Sequence, residues 1–269
     1  MILIAASTKD LASINIAKQI LSNYPFKPIK EKMYAAEVSG QEIKLVMLDE
    51  ELVYTQDITT LYPALDLIIF ISRHSSLSGT PTLSVHTPGN LENADLGGTP
   101  KKVSIAPANA MKVALSTMAE LVKEKHLNYK VSYECTHHGP SLDVPAMFAE
   151  LGSTSKEWRD LEAAEVVAHA TMKAVADFGK QTSKAVLGIG GPHYNEKFTR
   201  IALEEDKAFG HIIPKYAVAK IDEAILRQCV QKTLEKVEVA VLDWKGIKGE
   251  EKPNIVKLLS DIGLEFQKV

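Results

Sequence analysis

The sequence predicts an α/β fold in which a mixed, mostly parallel sheet carries helices on both faces. Apolar runs of strand length alternate with segments of helical spacing along most of the 269 residues. One run, Leu67-Ile68-Ile69-Phe70-Ile71, is apolar without interruption, which is typical of a strand buried on both faces. No repeat, low-complexity tract or linker divides the chain. We therefore expect residues 1–269 to form a single domain.

In the first third of the chain, apolar periodicity predicts a strand, a helix, a hairpin and a second strand. Apolar residues at helical spacing identify the helix, and two short segments that flank Ser39-Gly40 identify the hairpin. These elements are predicted over residues 1–6, 9–22, 33–38, 43–48 and 66–72. A stretch rich in Pro, Gly and Thr follows. We expect residues of about 73–100 to form a long irregular loop over an active site, with His86 able to close over it.

The rest of the chain alternates between strands and helices. Predicted strands cover residues 102–106, 129–134, 185–189, 217–219 and 237–242. Predicted helices cover residues 109–125, 154–178, 196–206, 222–234 and 253–262. The helix from residue 154 is expected to begin with a capping box, because Glu157 follows Thr154 by three residues.

Bulk composition argues against several classes of partner. A net charge of -3 and a pI of about 6.3 give no general attraction for nucleic acid, so DNA is not expected and RNA would need a local basic patch. Cys135 and Cys229 form no CxxC pair, which favours a reducing cytoplasm. No apolar run approaches the roughly 20 residues of a membrane-spanning helix, so no membrane association is expected. The oligomeric state does not follow from the sequence.

Five of the eight histidines lie in or beside segments that follow predicted strands. These segments are 72–76, 134–140, 190–194 and 210–211. Loops that leave the carboxyl ends of strands converge on one crevice in an open α/β sheet, so we expect these imidazoles to meet there. Imidazoles bind transition metals and move protons near neutral pH. The distribution therefore favours an enzyme over a binding module.

Glu134, His137 and His138 form the strongest local candidate for a metal site. A carboxylate and two imidazoles so close in sequence can supply two or three ligands, and a spare member can serve as a general base. A pair of histidines that stiffens a turn is the simpler alternative. Strand alternation is expected to turn Cys135 away from Glu134 into the core. No GxSxG or HExxH motif is present, which argues against a serine hydrolase with a nucleophile elbow and against a zincin.

Two further segments contain candidate ligand-binding residues. His74 follows the most apolar strand, and Ser75 and Ser76 beside it suit an anionic or hydroxylated ligand, although serines also stabilise ordinary turns. The pair Gly190-Gly191 allows a backbone to approach a ligand closely, and His193 follows it as a candidate ligand or acid.

Taken in order, the segments resemble the archaeal and plant type of D-aminoacyl-tRNA deacylase over most of the chain. The resemblance is carried by Ser72-Arg73-His74-Ser75-Ser76, His86-Thr87-Pro88-Gly89-Asn90, Cys135-Thr136-His137-His138-Gly139-Pro140, Glu150-Leu151-Gly152-Ser153-Thr154 with Glu157-Trp158, Gly190-Gly191-Pro192-His193-Tyr194 and Gly210-His211. It implies a cytoplasmic enzyme that hydrolyses the ester between a D-amino acid and the 3′-terminal adenosine of tRNA, in translation quality control. It also implies a zinc requirement, described in the family as two ions per subunit, and a phosphorylase/hydrolase-like fold.

The residues and the resemblance together give a specific hypothesis. The expected zinc ligands are His74, Glu134, His137 and His193. The expected proton carriers are His138 and Glu150, and the expected contacts of the aminoacyl-tRNA 3′ end are Ser75, Ser76, Gly190 and Gly191. Two alternatives stay open at this point. One is a zinc-dependent amidohydrolase or peptidase on the same fold, and the other is a metal-free RNA- or nucleotide-binding protein.

Overall fold

A computed structural model describes all residues, 1–269, and contains fourteen strands and seven α-helices. The strands are β1 (Ile2–Ser7), β2 (Lys27–Lys30), β3 (Met33–Val38), β4 (Gln41–Leu48), β5 (Leu67–Arg73), β6 (Thr82–His86), β7 (Gly89–Asn90), β8 (Lys102–Val103), β9 (Lys130–Tyr133), β10 (Ala146–Gly152), β11 (Lys184–Ile189), β12 (Lys207–Ile213), β13 (Val237–Leu242) and β14 (Phe266–Lys268). The helices are α1 (Leu11–Asn23), α2 (Ile58–Leu61), α3 (Ala108–Glu124), α4 (Leu161–Ala176), α5 (Glu196–Glu204), α6 (Glu223–Gln231) and α7 (Lys252–Asp261). None of these helices is long and apolar enough to span a membrane.

The strands form an eight-stranded sheet, a four-stranded sheet and a small ribbon of β7 and β8. The eight-stranded sheet has the order β2-β3-β4-β1-β5-β10-β6-β9 and contains both parallel and antiparallel pairs. The four-stranded sheet has the order β12-β11-β13-β14 and is wholly parallel. The predicted α/β class with a mixed, mostly parallel sheet is therefore confirmed.

Side-chain alternation separates the two faces of the eight-stranded sheet. On β5, Ile69 and Ile71 belong to the main core beneath α1, α3 and α4. Phe70 faces the other side, where it stacks on Phe148 of β10 with the ring centroids 4.7 Å apart. Since β5 and β10 run parallel, Glu150 lies beside Ser72, two residues beyond this aromatic pair and on the same face. This face of the sheet thus carries a polar row, Ser72 and Glu150, next to an apolar row, Phe70 and Phe148.

The four-stranded sheet shares its core with the first sheet. Its inner face contributes Phe209 and Val241 to the main core, and α3 contacts strands of both sheets. Its outer face packs on α6 and α7. The two sheets also meet through backbone contacts, because the Cys135 N–H donates to the carbonyl of His193 over 2.9 Å.

The irregular loop predicted over residues 73–100 contains a buried strand, so that prediction is wrong at β6. This strand lies between β10 and β9 near one edge of the sheet. Leu83 and Val85 alternate with Ser84 and His86, and all four residues are buried. Polar residues in a strand normally indicate a solvated face, and here that face lines an internal site. His86 is consequently a fixed part of the sheet and not a mobile cover.

Five other strands, β2, β7, β10, β12 and β14, were also missing from the prediction, and residues 217–219 were wrongly predicted as a strand. The sequence of β10, AMFAELG, is rich in residues that favour helices and has no β-branched residue. Its position between β5 and β6 decides its conformation. Near residue 217 the chain instead forms a 3₁₀ turn, Val218–Lys220.

The helix predicted from residue 154 begins later, at α4. Glu157 does accept hydrogen bonds from the backbone N–H and hydroxyl of Thr154, at 3.0 and 2.6 Å. These residues lead only into a single 3₁₀ turn. Asp160 caps α4 itself by accepting from the N–H groups of Glu162 and Ala163.

Candidate active site

A cavity of about 630 Å³ opens on the polar row of the eight-stranded sheet. It brings together every side chain predicted to bind metal or move protons. These are His74, Glu134, His137, His138, Glu150 and His193. They come from the ends of β5 and β9, the middle of β10 and the turn after β11. The site thus draws on strand positions as well as on carboxyl-end loops, because Glu150 and the buried His86 lie within strands.

Glu134 is the centre of this group. Its carboxylate is 2% exposed and accepts hydrogen bonds from Ser84 Oγ at 2.5 Å and from His193 Nε2 at 2.9 Å. His74 Nδ1 lies 3.4 Å from one carboxylate oxygen, and His137 Nε2 lies 3.6 Å from the other. Burial alone would raise the pKa of Glu134. The hydrogen bond from His193 and the surrounding imidazoles outweigh burial and hold the pKa well below its ordinary value.

A second buried carboxylate, Glu150, lies next to this centre. One of its oxygens accepts a hydrogen bond from Ser72 Oγ at 2.5 Å. The other oxygen lies 3.7 Å from His86 Nε2 and 3.9 Å from His74 Nδ1. Ser72 therefore fixes the orientation of Glu150 and leaves one carboxylate oxygen facing the imidazoles.

Three imidazoles, those of His86, His137 and His138, are packed against one another. The His137 ring centroid is 4.3 Å from that of His86 and 3.9 Å from that of His138. The His86 ring also stacks on Phe148 at 4.9 Å, and neither of its buried nitrogens has a hydrogen-bond partner. Burial and the neighbouring imidazoles lower the pKa of His137 well below 6.5 and that of His138 to about 3. Both rings are therefore neutral at pH 7, the form in which histidine binds metals.

Two tyrosines hold the imidazoles on either side of Glu134. The hydroxyl of Tyr194 is 2.8 Å from His74 Nε2, and the hydroxyl of Tyr216 is 3.1 Å from His193 Nδ1. Each hydroxyl contacts the ring nitrogen opposite the one that faces the carboxylate. Such contacts fix ring orientation and tautomer in metal sites.

Cys135 lies outside the cavity lining, as expected, but it contacts the side of the His193 ring that faces away from Glu134. The side chain is buried in the core, yet its Sγ is 3.3 Å from His193 Nδ1 and 3.3 Å from the Tyr216 hydroxyl. The chain has left β9 at this point, so strict strand alternation no longer applies. Burial alone would lower the pKa of His193, but the hydrogen bonds to Cys135 and Glu134 raise it to about 10.

The backbone after β9 is held by several other segments. The N–H of Glu134 donates to Val85, and the N–H of Thr136 donates to Ile212, at 3.0 and 2.9 Å. His138 has a φ of +34°, a conformation that is rare for residues other than glycine. The double histidine is therefore a fixed turn, and the simpler interpretation of it as a stiffened turn describes its backbone correctly. Its rings nonetheless line the cavity.

The predicted substrate contacts are only partly at the cavity. Ser75 lines it, whereas the hydroxyl of Ser76 lies 3.0 Å from that of Ser78 and outside the lining. Gly190 and Gly191 are also outside it. Their φ values of +99° and +78° form the turn after β11, and the Gly190 carbonyl accepts from Asn195 Nδ2 at 3.0 Å. This glycine pair shapes the turn that presents His193.

Sequence reasoning missed the serines that orient the two carboxylates and the role of His86. Ser72 and Ser84 are buried polar residues inside apolar strands. Ser72 stands two residues after Phe70, so it shares that face of the sheet. That spacing is the signal that could have identified it.

The donor atoms fall into three groups that could each hold a metal ion. Within each group the atoms lie within 4.8 Å of one another: His86, His137 and His138; Cys135, His137 and His193; and His74, Glu134 and Glu150. Imidazole nitrogen, carboxylate oxygen and thiolate sulfur are the ligands of zinc in proteins. The unpartnered, buried nitrogens of His86 and Nδ1 of His138 fit ligand positions, because buried polar atoms otherwise find hydrogen bonds.

The chain is similar to known proteins over nearly its full length. A family model described as D-aminoacyl-tRNA deacylase matches residues 61–267. Proteins of that name from Thermococcus kodakarensis and Pyrococcus furiosus are 38% and 39% identical, over 96% of both chains in each case. The counterpart from Methanocaldococcus jannaschii is 37% identical over 99% of both chains. A crystal structure of a conserved protein of unknown function has 31% identity and a TM-score of 0.88, covering 100% of this chain and 95% of its own.

Proposed function

Because the chain belongs to the D-aminoacyl-tRNA deacylase family and hydrolyses the ester bond of D-aminoacyl-tRNA, we propose that the centre around Glu134 carries out this reaction with zinc. The observation that supports this proposal is the meeting of three imidazoles from separate segments on one buried carboxylate. His74, His137 and His193 each direct a ring nitrogen to Glu134, at 3.4, 3.6 and 2.9 Å. These three histidines and Glu134 are the four residues that the sequence hypothesis assigns to zinc.

His74, Glu134, His137 and His193 would hold one zinc ion. His137 has only one nitrogen free for this purpose, because its Nδ1 is 2.8 Å from the carbonyl oxygen of Cys135. His86, whose two ring nitrogens have no hydrogen-bond partner and whose Nε2 lies 3.7 Å from Glu150, is the donor left for a second ion. Bound zinc supplies a Lewis acid and lowers the pKa of water to about 7.

The protein's own groups orient the substrate and move the proton. Of the two predicted proton carriers, Glu150 is the better acceptor for the proton of the attacking water. Ser72 fixes one of its oxygens, and the other accepts no hydrogen bond. His138, whose pKa is about 3, holds a proton only weakly, so it suits brief transfer toward the leaving ribose oxygen.

Metal removal tests this proposal. Dialysis against a chelator should abolish hydrolysis of D-tyrosyl-tRNA, and added zinc should restore it. The zinc content is measured in parallel by elemental analysis, and L-tyrosyl-tRNA serves as the stereochemical control. Full activity in protein shown to contain no metal would disprove the zinc requirement and leave a metal-free mechanism with Glu134 or Glu150 as base.

We also propose that the reaction takes place in the cytoplasm. In support, Cys135 and Cys229 are both free and buried, as suits a reducing compartment. Fractionation of cells should recover the deacylase activity with cytoplasmic markers, and recovery with a secreted or organellar fraction would contradict this proposal.

A further inference from the structure

The outer part of the cavity has an apolar rim formed by Tyr54 and Leu96. Both side chains line the cavity and yet are about half exposed, 54% and 50%. The Tyr54 hydroxyl makes no hydrogen bond within the chain. An aromatic and an aliphatic side chain left exposed at the mouth of an active site form a surface suited to a flat apolar group.

The backbone beneath this rim is fixed. Tyr54 ends a short 3₁₀ turn that is anchored by the buried Leu52. Two residues later, the amide of Gln56 both donates to and accepts from the backbone of Ser141, at 3.0 and 2.9 Å. Gly97 packs so closely on Val53 that an added Cβ would lie 1.8 Å from the Val53 carbonyl oxygen. The rim is therefore preorganised, which lowers the entropy cost of binding.

The rim is also directly connected to the catalytic centre. The N–H of Gly139, next to His138, donates to the carbonyl of Leu96 over 2.9 Å. The cavity of about 630 Å³ is continuous between the two regions, and this volume lies in the range that encloses a drug-sized ligand. A substrate whose ester lies at Glu134 therefore extends outward over Leu96 and Tyr54.

The cationic side chains of the cavity lining do not explain what the rim binds. Apart from histidines, Arg73 is the only cationic side chain in the lining, and its guanidinium pairs with Glu51 at 3.0 Å. A phosphate would find little free positive charge here. Recognition at this position consequently depends on stacking and apolar contact.

We propose that Tyr54 and Leu96 form a subsite for the 3′-terminal adenine base of the tRNA. This inference rests on the proposed function, because the ester at the Glu134 centre determines which part of the substrate reaches the rim. The amino acid lies on the carbonyl side of the ester, in the enclosed part of the cavity. The base lies on the ribose side, and the tRNA chain continues from that ribose into solvent. The half-exposed rim therefore receives the base.

A thermodynamic cycle tests this subsite. Wild type and Tyr54→Ala are compared on D-tyrosyl-tRNA and on the same tRNA with an abasic 3′-terminal ribose. Removing either the ring or the base should lower kcat/KM about 10- to 100-fold, mainly through KM, since base–aromatic stacking has about this strength. Removing both should cost no more than removing one. Tyr54→Phe should retain wild-type activity.

The subsite would be overturned if the reductions in kcat/KM multiplied when the ring and the base were both removed. Wild-type kinetics in Tyr54→Ala would also overturn it. A penalty that is equally large on the abasic substrate would assign the ring to the amino-acid side chain instead. Leu61→Ala is the matched control, because Leu61 is a 65% exposed apolar side chain outside the cavity. Wild-type protein that fails to hydrolyse D-tyrosyl-tRNA would refute the proposed function, and this outcome is distinct from failure of the subsite.

Discussion

The substitution Glu134→Gln should weaken zinc binding strongly and leave the stability of the metal-free fold almost unchanged. The carboxylate accepts two hydrogen bonds, from Ser84 and His193, and a neutral amide weakens each by about 1 kcal/mol. The neutral amide carries no buried charge, and the absence of this desolvation cost offsets much of the loss of about 2 kcal/mol. The metal-free variant should therefore unfold at nearly the wild-type temperature.

Zinc binding should respond far more strongly to the same change. Removing the Glu134 carboxylate, a charged partner of the buried ion, should cost about 4 kcal/mol of zinc-binding free energy. This loss corresponds to a roughly 1,000-fold rise in the zinc Kd. At a free zinc concentration about 1,000 times the wild-type Kd, zinc stabilises wild type by about 4 kcal/mol. The same concentration stabilises the variant by only about 0.4 kcal/mol. For a chain of this size, the zinc-dependent rise in Tm should fall from about 10 °C to about 1 °C.

Calorimetry with and without zinc, together with deacylation of D-tyrosyl-tRNA, measures both effects. Glu165→Gln is the matched control, since Glu165 also faces an imidazole, His169 at 3.6 Å, but lies outside the cavity. It should keep wild-type activity and the full zinc-dependent shift. An equally large zinc shift in Glu134→Gln, with activity retained, would refute the assignment of Glu134 to the metal centre.

Three further substitutions have defined outcomes. His86→Phe keeps a ring on Phe148 and removes two unpartnered buried nitrogens, so urea unfolding of the metal-free protein should change by no more than about 1 kcal/mol while zinc-dependent stabilisation falls. Unchanged zinc stabilisation would contradict a ligand role. Tyr194→Phe removes the contact to His74 Nε2 and should lower kcat about 10- to 100-fold, and an effect on KM alone would argue against this positioning role. Burial lowers the pKa of His211 to about 4, so its neutral form contributes stability above pH 6.5 that is lost as the pH falls toward 4. His211→Gln should remove about 2 kcal/mol of the loss between pH 7 and pH 5 in urea unfolding without metal, and identical slopes in both proteins would count against it.

The sequence was sufficient to predict the residues that follow recognisable strands. His74 follows β5, and Glu134 and His137 follow β9, so their convergence could be predicted from strand ends alone. Ser72, Ser84 and the buried role of His86 could not be predicted so easily. Polarity within a strand normally means exposure, and only the assembled sheet shows that this face encloses a cavity.

Glycine pairs illustrate a different limit of sequence reasoning. Gly190-Gly191 were predicted as substrate contacts, but their positive φ values serve the turn after β11 and neither residue lines the cavity. Which groups the turn presents to the cavity depends partly on packing against Asp243, which is about 50 residues away in the sequence. Similarly, the composition of β10 favours a helix, and only pairing with β5 and β6 makes it a strand.

The backbone contact between Cys135 and His193 places the reactive centre across the boundary of the two sheets. Of the four ligands proposed for the centre around Glu134, His193 follows the four-stranded sheet and the other three follow strands of the eight-stranded one. The zinc centre proposed around Glu134 is therefore complete only while the two sheets are packed together. Loss of that packing should abolish hydrolysis.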